Sequence, residues 1–232
     1  AKAGEVWPFY TNAGITNDDN TGAASFDGGG WSYSAQALAA TGVTPGSTVT
    51  ADGVGYVWPN EQVASPDNIE AAGQTIPLVV PAGTTKVGLL GSASNAGSSG
   101  AGGAVTVHYT DGTTSTFDAF FSDWTLGGGS GTPVPGNTTA VSTTYRNVSG
   151  NRQDPVRTFA FSVSAPLTAG KTVASITLPM STGGDAHVFA IGFSGTAGAS
   201  SQATIAGATR HLTPVPQVSP TPGRAVPTPH RS

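Results

Sequence analysis

The 232-residue sequence contains no cysteine and few charged residues. Without cysteine it can form no disulfide, no thiolate metal site and no cysteine nucleophile. Charged residues make up 9% of the chain, against about 25% in an average domain, so Thr, Ser, Asn, Gln and Gly must supply the polar surface. This composition is typical of secreted, sheet-rich proteins, and we predict that the protein is secreted.

The sequence also lacks the features of nucleic-acid-binding and membrane proteins. All 13 acidic residues, but only 6 of the 9 Lys and Arg residues, lie before position 209, and such an acidic body does not suit a nucleic-acid partner. No apolar run approaches the roughly 18 residues of a membrane span. No basic and then apolar leader opens the chain, so we expect that any signal peptide has been removed.

Strand and turn signals run through most of the chain. Asp52-Gly53 and Asp111-Gly112 each separate two β-type runs and predict hairpins, and only residues 34–42, SAQALAATG, have the pattern of a helix, with Ser34 as its cap. Nine to ten strands are expected, at the spacing of a sandwich or barrel. In the last strand, strict alternation places Val188, Ala190 and Gly192 opposite Phe189, Ile191 and Phe193. We therefore predict an all-β, jelly-roll β-sandwich with at most one or two short helices.

Two glycine- and serine-rich segments and a proline-rich end punctuate this pattern. Residues 91–103 and 126–137 predict long surface loops. From Thr209 onward the chain has six prolines and almost no large apolar residue, which is typical of an extended, disordered tail or linker. The sequence thus predicts one β-sandwich domain over residues 1–208 and a tail over residues 209–232.

Motifs for catalysis are weak. Residues 165–172, APLTAGKT, resemble a P-loop, but an alternating β-branched run follows where a helix is required. No G-x-S-x-G motif occurs. Glycoside cleavage needs only two acids, for which Asp118, Asp123 and Glu61 are candidates, but no row of arginines and tyrosines accompanies them. We predict no catalytic residues, and we keep a glycoside hydrolase or polysaccharide lyase as the alternative.

The segment NAGITNDDNTGAASFDGG, residues 12–29, is the best candidate for a metal site. Its hard oxygen donors are the type that calcium prefers, and the predicted ligands of a structural calcium ion are Asp18, Asp19, Asn20 and Asp27. The EF-hand spacing fails, because Gly29 stands at the twelfth position counted from Asp18. The alternative is an Asx-rich turn that binds no metal.

Aromatic side chains offer flat surfaces on which a sugar ring can stack, while amides and carboxylates bond its hydroxyls. The predicted carbohydrate-binding residues are Trp31, Tyr33, Trp124, Asp123 and Asn68. If residues 31–34 form a strand, Trp31 and Tyr33 share one face. The alternative is that all the rings pack in the core of a structural or adhesion domain without a ligand.

The order of several motifs carries a family resemblance over about residues 9–193. NAGITNDDNTGAASFDGGGWSYSAQALAATGVTPGSTVTADGVGYVWP, PDNIEAAGQTIPL, VHYTDGTTSTFDAFFSDWTLGG and HVFAIGF together resemble the β-sandwich accessory domain found beside secreted actinobacterial glycoside hydrolases, including α-mannosidase-like enzymes. The resemblance implies a galactose-binding-like fold and a catalytic domain in the same parent chain. It also implies that ITNDDN lies near HVFAIGF. We therefore predict a non-catalytic module that binds a poly- or oligosaccharide.

Overall fold

The computed structural model of the chain describes residues 9–195, together with the backbone of residues 200–202 and 204–205. The predicted tail, residues 209–232, lies outside the described residues. The described chain is an all-β sandwich with two short helical segments, α1 (Ala35–Ala40) and α2 (Leu126–Gly129), and the predicted fold class is confirmed. Neither segment has the length or the apolar character that crossing a bilayer demands of a helix in this part of the chain.

The strands are numbered in chain order. They are β1 (Ile15–Thr16), β2 (Trp31–Ser34), β3 (Thr48–Ala51), β4 (Val54–Val57), β5 (Ile69–Glu70), β6 (Thr75–Val79), β7 (Thr84–Ser94), β8 (Ala101–Tyr109), β9 (Thr114–Phe121), β10 (Thr138–Ser142), β11 (Arg146–Val148), β12 (Arg152–Asp154), β13 (Phe159–Pro166), β14 (Val173–Thr177), β15 (Asp185–Gly195), β16 (Ser200–Gln202) and β17 (Thr204–Ile205).

Three sheets organise these strands. The largest is eight-stranded, with β10-β13-β7-β15-β4-β3 in spatial order and with β5 and β16 also paired to β15. A five-stranded sheet has the order β17-β6-β14-β8-β9, and a four-stranded sheet has the order β1-β2-β11-β12. Strands β7 and β15 therefore lie inside the largest sheet, with hydrogen-bonded neighbours on both sides.

The largest sheet is a shared wall between two hydrophobic cores. Leu89 of β7 packs in a core with Val107 and Ile176 from the five-stranded sheet. The next residue, Leu90, packs in a second core with Tyr33 of β2 and Leu38 of α1. Because successive side chains of a strand point to opposite faces, β7 is apolar on both faces, and the molecule has three layers at this point.

The alternation predicted for the last strand is wrong at its start. Val188 lies in the first core with Ile191 and Phe193, whereas Phe189 and Ala190 both lie in the second. The pairing of β15 with β7 shifts register between Val188 and Ala190. An extra residue in one strand of a pair is a β-bulge, and it reverses the faces of the side chains that follow.

Most of the predicted local structure is present. The hairpin of β3 and β4 turns at Asp52-Gly53, where both residues have positive φ, and the hairpin of β8 and β9 turns around Asp111-Gly112. Helix α1 is capped by Ser34, whose Oγ accepts a hydrogen bond from the backbone N–H of Ala37. The loop predicted over residues 91–103 is shorter, because β7 continues to Ser94 and β8 begins at Ala101.

One glycine explains how β7 packs so closely. A Cβ on Gly91 would lie 2.2 Å from the carbonyl oxygen of His187 and 2.8 Å from the ring of Phe121. The bare backbone of Gly91 therefore lets the Phe121 ring of β9 reach the sheet, where Phe121 is 1% exposed. Gly91, which the sequence placed in a glycine-rich surface loop, serves here as a close-packing position.

Candidate binding cleft

A cleft of about 420 Å³ opens where three loops meet, lined by residues 96–98, 122, 123, 125–127, 131, 132 and 134. Ligand sites in proteins typically enclose about 300–1,000 Å³, so this cleft has the size of a small-molecule site. Ala96, Leu126 and Val134 contribute apolar surface to it, and hydroxyl groups and the Asp123 carboxylate contribute polar surface. We call it the Asp123 cleft.

Asp123 is held firmly at the edge of this cleft. Its backbone forms a bridge with Ala93, next to the end of β7, and its Oδ1 accepts hydrogen bonds from the Thr125 backbone N–H at 2.8 Å and the Thr125 hydroxyl at 2.6 Å. Its Oδ2 accepts no hydrogen bond from any residue that the structure describes. One carboxylate oxygen thus fixes the side chain, and the other has no hydrogen-bond partner among the described residues.

The backbone beside Asp123 forms an unusual turn. Leu126 has φ of 49°, and the glycines at 127, 128 and 129 have φ of 63°, 93° and 95°, so α2 is a short left-handed turn. A left-handed residue with a side chain is strained, and such strain often occurs at functional sites. The three glycines let the turn continue, since they adopt this conformation without a steric cost.

Several polar groups of the cleft have no partner within the described chain. The hydroxyls of Ser98 and Thr132 and the N–H of Gly127 make no hydrogen bond to a described residue. In contrast, the Ser122 hydroxyl donates to Asn137 and accepts from the backbone of Val134. These groups line the same cleft as Asp123.

Two of the aromatic residues predicted to stack on a sugar lie in the core. Tyr33 is 0% exposed and Trp124 is 2% exposed, and their rings lie 5.1 Å apart beside Phe26. The Tyr33 hydroxyl donates to the Phe159 carbonyl at 2.7 Å, and burial raises the Tyr33 pKa. Neither ring has a face open to a ligand, so the stacking role predicted for these two residues is corrected to core packing.

Trp31 is half-buried and is the predicted ring with the most access to solvent. The guanidinium of Arg146 lies over it, 5.1 Å from the ring centroid, and the same guanidinium lies 5.5 Å from the centroid of Trp124. A Cβ on Gly29 would lie 2.9 Å from the Trp31 ring. Trp31 is thus packed against its own chain, and it does not line the Asp123 cleft.

Asn68 is completely buried in a polar network, which corrects its predicted contact with a sugar. Its amide nitrogen donates to Asp67 at 2.7 Å and to the Asn12 side chain at 2.9 Å. Its oxygen then accepts from Nδ1 of His187 at 2.8 Å, and Nε2 of His187 accepts from the Ser94 hydroxyl at 3.0 Å. Both the amide nitrogen and the amide oxygen of Asn68 are therefore bonded inside the protein.

The Ser94–His187–Asn68 chain has the order of a nucleophile, a base and an orienting group, as in serine and cysteine hydrolases. Its members are 1%, 1% and 0% exposed, so a substrate has no access to the hydroxyl. Burial also lowers the His187 pKa to about 4, which makes the ring a weak base. We assign this network a structural role.

Two acids, Asp67 and Glu61, line a second and much smaller cavity of about 30 Å³. Burial raises the pKa of Asp67 to about 7, although hydrogen bonds from Asn68 and from the backbone of Gly14 and Ile15 oppose that rise. The cavity has room for one or two water molecules and is far below the size of a sugar site. The pair therefore lacks the space in which a glycosidic bond could lie between the two acids.

Two of the four residues predicted to bind calcium, Asp18 and Asp27, have protein partners. Asp18 accepts hydrogen bonds from Ser34 and Tyr145, both at 2.6 Å, through its two carboxylate oxygens. Oδ1 of Asp27 accepts from the backbone N–H of Gly29 at 2.8 Å. Asp19 and Asn20 are exposed. Over the range that the structure describes, no three His, Asp or Glu side chains lie close enough together to hold a metal ion.

Sequence reasoning thus found one residue of the cleft, Asp123, and missed the others. Ser98, Leu126 and Thr132 lie in two segments that the sequence marked only as glycine-rich loops. The small and polar residues of these two segments gave no indication that the segments lie side by side in the fold. That meeting depends on the pairing of Ala93 with Asp123, which brings the end of β7 beside the end of β9.

Comparison with known proteins identifies the domain at the level of its family. No curated protein matches the chain. A family model described as the AziU2-like beta-sandwich domain matches residues 5–196. This match agrees with the β-sandwich that the sequence predicted, while the predicted link to glycoside hydrolases stays a prediction. Since the match covers most of the chain, the protein belongs to the AziU2-like β-sandwich domain family.

Proposed function

We propose that this domain is a non-catalytic carbohydrate-binding module, and that its sugar binds in the Asp123 cleft. In this proposal the module is secreted and is attached to, or derived from, a polysaccharide-degrading enzyme. The observation that carries the proposal is the combination of a cleft of about 420 Å³ with a rigid carboxylate whose Oδ2 has no partner among the described residues. Sugars are recognised by groups of this kind, because each hydroxyl can donate and accept.

In this mode of binding, a sugar hydroxyl donates to Oδ2 of Asp123. The hydroxyls of Ser98 and Thr132 bond further hydroxyls, and the C–H surface of the sugar packs on Leu126 and Val134. None of the described residues that line the cleft is aromatic, so the module lacks a stacking platform there and should bind weakly. We expect dissociation constants in the micromolar to millimolar range, about −4 to −8 kcal/mol.

The non-catalytic part of the proposal depends on the number of acids. Glycosidases place two carboxyl groups about 5 to 9.5 Å apart on either side of the scissile bond. Asp123 is the only acid among the residues that line its cleft. Among the described residues, a general acid and a second carboxylate are therefore not both present at the Asp123 cleft.

The test compares two serine variants on a panel of soluble and insoluble polysaccharides. Ser98→Leu places an apolar side chain in the cleft, whereas Ser99→Leu makes the same change at the next exposed residue, which does not line the cleft. We expect retention on at least one polysaccharide by the wild type and by Ser99→Leu, and a loss of about tenfold or more in affinity by Ser98→Leu. Equal retention by all three proteins would place the sugar elsewhere.

Product release from the same panel separates the alternative functions. A reducing-end assay should detect no cleavage, and sustained release of oligosaccharides would establish a hydrolase or lyase instead. An absence of binding to every polysaccharide would leave the structural or adhesion domain as the better description.

A further inference from the structure

We infer that the Asp123 cleft selects a sugar that carries a free, protonated amine. This inference rests on the proposed function and adds to it the class of ligand. Its basis is the charge of the cleft: the described residues that line it include one carboxylate and no Lys, Arg or His side chain.

Asp123 has no cationic partner in the described part of the chain. The salt bridges found there join Lys86 to Asp52, Arg146 to Asp154 and Lys171 to Asp111. Asp123 is half-buried, so a ligand that covers it removes water from a charged group. Removing water from an unpaired charge is costly unless a counter-charge replaces it.

Arg146 and Arg157 already interact with other side chains of the protein. Arg146 pairs with Asp154 at 2.8 Å and lies over the Trp31 and Trp124 rings. Arg157 donates to the Ser142 hydroxyl at 2.6 Å and lies over the ring of Phe159. An ammonium group on the ligand would therefore supply the counter-charge that the protein does not place in the cleft.

The geometry of Asp123 favours one short contact with such a group. The two hydrogen bonds from Thr125 to Oδ1 hold the carboxylate in place, so little side-chain entropy is lost when Oδ2 accepts an N–H. Hydrogen bonds between an ammonium and a carboxylate are stronger than those between neutral groups. A neutral sugar hydroxyl can take the same position but brings no charge to balance the carboxylate.

The experiment uses three β-1,4-linked tetrasaccharides that differ only at carbon 2. They carry a free amine (the glucosamine tetramer), an acetylated amine (the N-acetylglucosamine tetramer) or a hydroxyl (the glucose tetramer). Titration calorimetry at pH 5.5 and low salt measures their affinities for the wild type. We expect the glucosamine tetramer to bind about fivefold to tenfold more tightly than the glucose tetramer, and we expect added salt to reduce this preference.

Two variants separate the cleft from the general charge of the protein. Asp123→Asn keeps a side-chain oxygen for Thr125 but removes the charge, and it should abolish the preference for the amine, so that the glucosamine and glucose tetramers bind this variant with similar affinity. Asp118→Asn removes one charge from an exposed position of β9 that does not line the cleft, and it should keep the preference. Thermal melting checks that both variants are folded.

The outcomes distinguish the two proposals. Equal binding of the amine and hydroxyl tetramers to the wild type would overturn the amine inference and leave a neutral-sugar module. A preference that both variants lose to the same extent would also overturn it, since general attraction to an acidic protein would then be the cause. No binding of any tetramer, together with a blank polysaccharide panel, would overturn the proposed function itself.

Discussion

Replacing His187 by glutamine should change how the stability of the protein depends on pH. His187 is 1% exposed, and burial lowers its pKa from 6.5 to about 4. Between these two pH values the unfolded chain binds a proton that the folded chain does not. The neutral ring therefore contributes stability that is fully present above pH 6.5 and is lost as the pH falls to about 4.

The size of this effect follows from the two pKa values. At 1.36 kcal/mol for each pH unit, the interval from 6.5 to about 4 corresponds to about 3 kcal/mol. Asp67 acts in the opposite direction, because burial raises its pKa from 3.8 to about 7. Its neutral form stabilises the fold at low pH, and that contribution is lost as the pH rises through about 7. The two contributions largely cancel in the wild type.

Urea denaturation at pH values from 4 to 7.5 measures both contributions. The free energy of unfolding of the wild type minus that of His187→Gln should increase by about 3 kcal/mol between pH 4 and 6.5 and stay constant above that range. A difference between wild type and His187→Gln that does not vary with pH would refute the reasoning.

Three further predictions concern packing and metal binding. Trp124→Ala should lower the free energy of unfolding by about 3–5 kcal/mol in urea denaturation, because its ring is 2% exposed; a loss no larger than that of Trp31→Ala would contradict the assigned core position. Gly91→Ala should lower the melting temperature strongly, since its Cβ would meet a backbone carbonyl oxygen at 2.2 Å, whereas Gly22→Ala, with open space around it, should not; equal melting temperatures would refute the close contact. A structural calcium ion bound within residues 18–27 would stabilise the native state by mass action, so EDTA should lower the melting temperature and calcium should restore it; an unchanged melting temperature would remove the calcium prediction.

Local features of the fold could be predicted because their signals are local. Asp52-Gly53 specifies a tight turn through two residues that tolerate positive φ. Ser34 specifies a helix start through one side-chain hydrogen bond to Ala37. Each of these depends on a few consecutive residues, and both appear in the structure where the sequence placed them.

Features that depend on pairing between distant strands could not be predicted. The bulge near Phe189 is a register shift between β15 and β7, and nothing in the sequence of β15 alone marks it. Strand alternation places Tyr33 and Ser32 on opposite faces, yet both are 0% exposed. Ser32 is covered because its hydroxyl lies 2.6 Å from that of Thr16 in a neighbouring strand.

The residues of the candidate site show the same difference between local signals and long-range strand pairing. Asp123 was predicted, because a carboxylate at a strand end is visible in the sequence. Its loop partners Ser98 and Thr132 were not, since they are brought to it only by long-range strand pairing. Trp124 was misassigned because a tryptophan at a strand end has the same sequence pattern in a core and at a binding surface.

Strands β7 and β15 belong to the sheet that both cores share, so the stability of each core depends on the other. Leu89 and Leu90 belong to different cores. Unfolding either core would therefore remove apolar contacts from β7 and β15, and the other core depends on the same two strands. Heating should therefore give a single calorimetric transition across the described chain rather than two, with no half-folded species accumulating.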